Sequence, residues 1–207
     1  MCDRAGAEVD RALGVASEVG GAVFVARHDG SLRDLGVERI DLYQLHRVDP
    51  RVPIEETMGV LTRLRDEGKI RHVGLSEVGV DQIARARSVI PIATVQNEYN
   101  LANRRHEDVL DFCEAHRMGF IPFYPLKVGA LAESDALKSI ATRERVTPRL
   151  IALAWLLARS PAVIAIPGTS SVTHLDENVG ACDVRLSSAD MSALNGLPSA
   201  KPLEVAR

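Results

Sequence analysis

The stretch IDLYQLHRVDPRVPIEETMGVLTRLRDEGKIRHVGLS (Ile40–Ser76) decides the fold class. It opens on a run suited to a strand, Ile40–His46. A helix over Ile54–Glu67 follows, because Ile54, Met58, Leu61 and Leu64 recur at helical spacing on one face. Pro53 suits the first turn of that helix and Gly68 its end. The stretch closes on a second strand, Ile70–Ser76. Strand, helix and strand joined by short loops require a right-handed crossover, and so a parallel sheet.

The pattern continues towards the C-terminus. A helix is predicted over Asp81–Ser88, a strand over Ile92–Gln96, a helix over His106–Arg117, and a strand with its exit loop over Gly119–Leu126. Helices near Ser134–Glu144 and Pro148–Arg159 come next, the second with Thr147-Pro148 as cap and first turn. A last strand over Ala162–Pro167 leads to helices over Val172–Asp183 and Ser188–Gly196, where Ser187 and Asp190 form a capping box. Towards the N-terminus, AVFVA (Ala22–Ala26) reads as a strand and Ala7–Ala16 as a helix. Only HDGSLRDLGVER separates AVFVA from Ile40, near the lower limit of about 10–12 residues for a crossover with its helix. Six strands are visible in all. Alternation alone does not distinguish an open sheet from a closed barrel.

Composition narrows the function classes. The chain has 207 residues, 46% hydrophobic and 26% charged, which is ordinary for a globular protein and suits a single domain over 1–207. A net charge of −3 lacks the basic footprint of a nucleic-acid or anionic-membrane binder. No apolar run approaches the roughly 20 residues of a membrane helix. The opening MCDRAGAEVDRALG has no secretory signal pattern, and three scattered cysteines (Cys2, Cys113, Cys182) suit a reducing, cytoplasmic setting. The ligand-type residues in His106–His116 read as a solvated helix face, so no metal site is expected.

Chemistry in a barrel sits where the strands end. Polar or aromatic groups gather at each predicted end: Gln44-Leu45-His46, Gly74 to Glu77, Gln96 to Asn100, Pro122 to Leu126, and Ile166 to Ser171. These segments carry a family likeness. LGVERIDLYQLHRVD, GKIRHVGLS, VQNEYNLANR, the FYPL turn and IPGTSSVTHLDENVGA closely resemble the aldo-keto reductases, in order and spacing, over about Leu35–Pro198.

The resemblance implies a (β/α)8 TIM-type barrel of the α/β class, incomplete on its N-terminal side, since such barrels usually run to about 250 residues and eight strands. It also implies NADP(H), with NAD(H) as the lesser option, a small-molecule carbonyl substrate, and reduction of aldehydes or ketones by hydride transfer. His46 matches the catalytic histidine that orients and polarises the carbonyl. Ser76 and Gln96 match the residues that bond the nicotinamide carboxamide. Glu77 stands where many members have Asn, and a carboxylate lacks the amide's donors. Phe123 matches the aromatic that stacks on the nicotinamide ring, and Tyr124 falls near the cofactor phosphates. Gly168, Thr169 and Ser170 belong to the loop that takes the adenosine 2′-phosphate at a helix N-terminus. His174 falls where an Arg often contacts phosphate or adenine, while Glu177 and Asn178 match the adenine-binding pair. Gly168 replaces a frequent Lys, so two cations that favour NADP are missing.

The family's proton-transfer set is a Tyr, a Lys, an Asp and the His. The sequence before AVFVA has no tyrosine, and the chain's three are Tyr43, Tyr99 and Tyr124. Tyr43 has the opposite strand parity to His46, so it is expected to face outward. Tyr99 lies in a stretch resembling a structural loop, and Tyr124 is better placed as cofactor lining. Arg27 and His28 stand where the Lys is expected, and neither matches. The expected function is therefore an impaired oxidoreductase in which His46 itself donates the proton at mildly acidic pH. The alternative is a non-catalytic nicotinamide-nucleotide-binding protein, a redox sensor or partner subunit. Open sheet edges left by missing strands also suggest a homodimer.

Overall fold

The computed structural model describes residues 29–199. The expected elements at Ala7–Ala16 and Ala22–Ala26, with Arg27 and His28, lie outside the described residues. The chain divides into two compact units, Met1–Gln96 and Asn97–Arg207.

In the N-terminal unit, residues 29–35 form helix α1, which ends on Gly36 at φ 65°. The short connector before Ile40 therefore does contain a helix. Strands β1 (Ile40–Leu45), β2 (Ile70–Ser76) and β3 (Ile92–Gln96) pair in parallel in the order β1-β2-β3. Helix α2 (Ile54–Asp66) joins the first two strands and α3 (Val80–Arg87) the next two. Ile54, Met58, Leu61 and Leu64 are all buried, which confirms the helical stripe. At its end Gly68 adopts φ 76° and the Lys69 amide reaches back to the Leu64 carbonyl, a glycine-dependent helix stop.

One parity of the sheet is apolar and closed. Tyr43, Leu45, Val73, Leu75 and Val95 are almost fully buried, each large side chain contributing about 1.5–3 kcal/mol of transfer free energy. The other parity turns polar towards the strand ends, with Gln44, Gly74, Ser76, Thr94 and Gln96. A register shift occurs between β2 and β3: Val73 pairs with Ile92, but Gly74 pairs with Thr94. The extra residue, Ala93, brings Thr94 and Gln96 onto the face of Gly74 and Ser76.

In the C-terminal unit, α4 (Glu107–Ala115), α5 (Asp135–Glu144), α6 (Pro148–Arg159), α7 (Val172–Gly180) and α8 (Ser188–Asn195) follow the expected order, with a 3-10 turn at Gly129–Glu133. Helix α6 is the centre, buried continuously from Leu150 to Leu156. Trp155 stacks on Tyr99 (ring centroids 5.9 Å, 17°) and donates from Nε1 to Asn195 at 2.8 Å. The Ser187–Asp190 capping box forms as expected.

Two strand expectations are corrected. Of Gly119–Leu126 only β4 (Gly119–Phe120) is a strand. Pro122 and Pro125 have no N–H to donate, so a ladder cannot continue through them. Ala162–Pro167 is not a strand among the described residues. Val163 makes an isolated parallel bridge to Phe120, flanked by two 2.8 Å bonds, while Ile164 and Ile166 stay exposed.

Candidate functional site

The three strand ends of the N-terminal unit interlock through side-chain amides. Thr94 donates its hydroxyl to Gln44 Oε1 (3.2 Å), and Gln44 Nε2 donates to Gln96 Oε1 (2.9 Å). The Thr94 donor faces the carbonyl end of Gln44, which turns its NH2 towards Gln96. The carbonyl of Gln96 is thereby engaged, and its Nε2 donates to no protein group among the described residues. Ser76 is the register partner of Gln96 and is nearly buried. A hydroxyl and an amide donor thus stand together at the ends of β2 and β3. Gly74 makes this packing possible: a Cβ there would lie 2.4 Å from Thr94 Oγ1 and 2.8 Å from Gln44 Cγ. The sequence reading placed Gln44 among the polar groups at the strand end but gave it no role, although a Gln two residues before His46 shares that histidine's strand parity.

His46 lies one residue past β1 and is half-buried. Beyond β2, Glu77 adopts φ 54°, and its amide bonds the Gln96 carbonyl at 3.0 Å. A non-glycine residue in this region costs about 1–2 kcal/mol. The Glu77 carboxylate lies 3.2 Å from Arg47. It is an anion held by a guanidinium, in keeping with its lack of amide donors.

In the C-terminal unit two clefts adjoin. One, of about 420 Å³, is lined by Phe123, Tyr124, Pro125, Leu126, Lys127, Ile166 and Gly168. Tyr124 is 63% exposed, at φ 55°, edge-on to Phe123 (5.2 Å, 76°) with Lys127 Nζ 5.6 Å from its ring centre. The other, of about 220 Å³, is lined by Leu126, Thr147, Arg149, Leu150, Gly168, Thr169, His174, Glu177 and Asn178. Leu126 and Gly168 belong to both. Of the sequence candidates in this unit, only Ser170 lies outside both linings; it is exposed.

The loop before α7 is partly self-satisfied. Thr169 Oγ1 accepts from the Ser171 amide (3.1 Å), and Ser171 Oγ accepts from the His174 amide (3.4 Å). The amides left to meet an anion are those of Val172 and Thr173. Asn178 Nδ2 is buried without a hydrogen-bond partner among the described residues. A buried donor of this kind costs about 1–3 kcal/mol unless something accepts from it, so it fits a ligand acceptor in the cleft. In the sequence Thr147 was read only as a helix cap and Arg149 was not singled out, because both precede the matched loop by about twenty residues.

The remaining tyrosines are accounted for. Tyr43 is buried at the parity opposite to Gln44. Tyr99 is buried and donates to Glu107 Oε2 at 2.6 Å; burial first, and then Glu107, push its phenol far above the ordinary range. Arg159 holds both Glu107 and Asp111, so these acidic groups of α4 serve the core.

The sequence model of the aldo/keto reductase family matches residues 23–198. The chain belongs to the aldo/keto reductase family. It is 48% identical over 167 residues to an uncharacterized oxidoreductase of Schizosaccharomyces pombe, covering 80% of this chain and 54% of that protein. It is 39% identical over 178 residues to pyridoxine 4-dehydrogenase of Escherichia coli, covering 83% and 62%. The chain therefore spans between half and two thirds of the length of these two relatives. Among solved structures it resembles a thermostable aldo-keto reductase bound to the inhibitor epalrestat, with TM-score 0.81 and 29% identity over 87% of this chain and 68% of that one. It also resembles an aldo-keto reductase from Klebsiella pneumoniae in complex with NADPH, with TM-score 0.78 and 30% identity over 91% and 69%. The fold class is that of these neighbours, a TIM-type barrel represented here in part.

Proposed function

We propose that the chain is an NADP(H)-dependent oxidoreductase that reduces aldehydes or ketones to alcohols, working as a single domain in the cytoplasm. The observation that carries this reading is the Ser76 hydroxyl paired with a Gln96 amide donor that bonds no protein group among the described residues, held by Gln44 two residues before the half-buried His46. A carboxamide needs one partner for its carbonyl and one for its NH2, and Gln96 Nε2 and Ser76 Oγ supply them. Phe123 offers a ring face, Tyr124 lines the phosphate region, and Glu177 with Asn178 takes adenine. Thr169, Gly168, Ser170 and His174 surround the phosphate end. The bound nucleotide supplies the hydride; His46 polarises the carbonyl and donates the proton. The family match runs across both units, which supports the single-domain reading. Among the described residues no helix is long and apolar enough to cross a membrane.

None of the three tyrosines of this sequence serves as the general acid. The turnover expected of it is therefore slow, since a positioned acid typically contributes about 10²–10⁴-fold. The test is NADPH oxidation with a reactive aromatic aldehyde, alongside NADPH binding followed by nicotinamide fluorescence. Slow oxidation that falls as pH rises between about 5 and 8 supports His46 as the donor. A flat profile removes that role, and binding without any oxidation favours the non-catalytic nucleotide-binding alternative.

A homodimer is also proposed. Val172, Leu175 and Val179 recur on α7 and are 76%, 51% and 63% exposed. An apolar row of this kind is normally covered by a partner. Sedimentation at several concentrations tests it; a single monomeric species throughout overturns it.

A further inference from the structure

We propose that Arg149 is the cation that selects a 2′-phosphorylated nucleotide in this chain. The inference rests on the cleft of Gly168, Thr169, His174, Glu177 and Asn178 being the adenosine end of the nucleotide site. That loop brings no Lys or Arg of its own, so on its own residues it carries little charge to distinguish NADP from NAD. Arg149 lines the same cleft from a different element, the start of α6.

Its position is locally unfavourable. Arg149 is the second residue of α6, after Pro148, where the positive end of the helix dipole disfavours a cation. The first turn of α6 has no acidic residue to offset it. Arg149 is exposed, and it makes no hydrogen bond or ion pair among the described residues, Glu177 in the same cleft included. A residue that breaks a local rule without local compensation marks a place where function sets the choice.

The chemistry suits a phosphomonoester. A guanidinium presents parallel N–H groups that match two phosphate oxygens, a pairing Lys does not reproduce. The Thr169 hydroxyl and the open amides of Val172 and Thr173 stand at the adjoining helix start. Glu177 adds a negative charge to this cleft, which a phosphate would meet unfavourably without a cation. Asn178, with its unpartnered buried Nδ2, gives the cleft a reason to hold a base beside that phosphate.

The test is calorimetric titration of the full chain with adenosine 2′,5′-bisphosphate, adenosine 5′-phosphate and inorganic phosphate. The native chain is expected to bind the bisphosphate about tenfold or more tightly than the 5′-phosphate, the scale of one charge-assisted pair. Arg149→Met is expected to reduce that preference to within about twofold while leaving 5′-phosphate affinity unchanged, and Arg149→Lys to keep part of it. The melting temperature of Arg149→Met is expected to equal or exceed the native value, because the dipole conflict is gone. A preference that survives in Arg149→Met overturns the inference and leaves the proposed function standing. Inorganic phosphate binding as tightly as the bisphosphate also overturns it, since the site then reads phosphate alone. Failure of the native chain to bind either adenosine compound removes the nucleotide site itself, and this inference with it.

Discussion

Gly74 and Gln44 show how much of the site depends on single atoms. Gly74→Ala would put a Cβ within 2.4 Å of Thr94 Oγ1, a distance real side chains do not tolerate. The expected cost is about 1–3 kcal/mol, from forcing Thr94 and Gln44 off their hydrogen bonds. Urea unfolding measures it, and a change below about 0.5 kcal/mol would show that the amide ladder is not as tightly packed as described. Gln44→Leu leaves the Thr94 hydroxyl and Gln96 carbonyl without each other's relay. Its stability loss is expected to be about 1–2 kcal/mol. NADPH affinity is expected to fall about fivefold or more, the scale of one lost neutral hydrogen bond. Adenosine 2′,5′-bisphosphate, which lacks the nicotinamide ring, should bind as before. Equal weakening of both ligands would mean that Gln44 acts on the fold as a whole.

Among the elements, the bulge in β3 and the capping of α8 matter most. Without Ala93 as the extra residue, Gln96 would align with the apolar parity of β2 instead of with Ser76. In α8, Asp190 takes two bonds from Arg143 of α5 (3.0 and 2.8 Å) and also closes the capping box with Ser187. The Arg143 guanidinium first, and then Ser187, hold the Asp190 carboxyl down at about 2. A carboxyl whose folded value is depressed stabilises the fold above its unfolded value near 4 and loses that contribution as pH falls through about 2. Asp190→Asn is expected to cost about 1–2 kcal/mol at neutral pH. It should also flatten the decline in stability between about pH 4 and 2. An acid titration that runs parallel to that of the native chain in this window would contradict the assignment.

For the molecule as a whole, the open groups are a statement about ligand linkage. Gln96 Nε2, Asn178 Nδ2 and Arg149 are polar groups whose proposed partner is a nucleotide, which binds the folded chain and not the unfolded one. At about one hundred times its dissociation constant, such a ligand adds about 2.7 kcal/mol. NADPH is therefore expected to raise the melting temperature clearly, and NADH less. No shift with either nucleotide would contradict the proposed function.

The sequence by itself determined the element order, the positions of β1 to β3, the core stripe of α2, the caps of α6 and α8, and the family. These follow from short-range periodicity, cap chemistry and contiguous motifs, all of which are written locally. It also fixed Ser76, Gln96, Glu177 and Asn178 as candidates, since each sits inside a matched motif. Only the tertiary structure decided that Gly119–Leu126 and Ala162–Pro167 contribute a two-residue strand and a single bridge, because a strand exists only where a partner supplies the other half of its ladder. Gln44 became visible as the residue that orients Gln96 only once strands about fifty residues apart were brought into register. Arg149 entered the cleft in the same way, from a helix start that no motif marks, because a cation's role depends on what folds beside it.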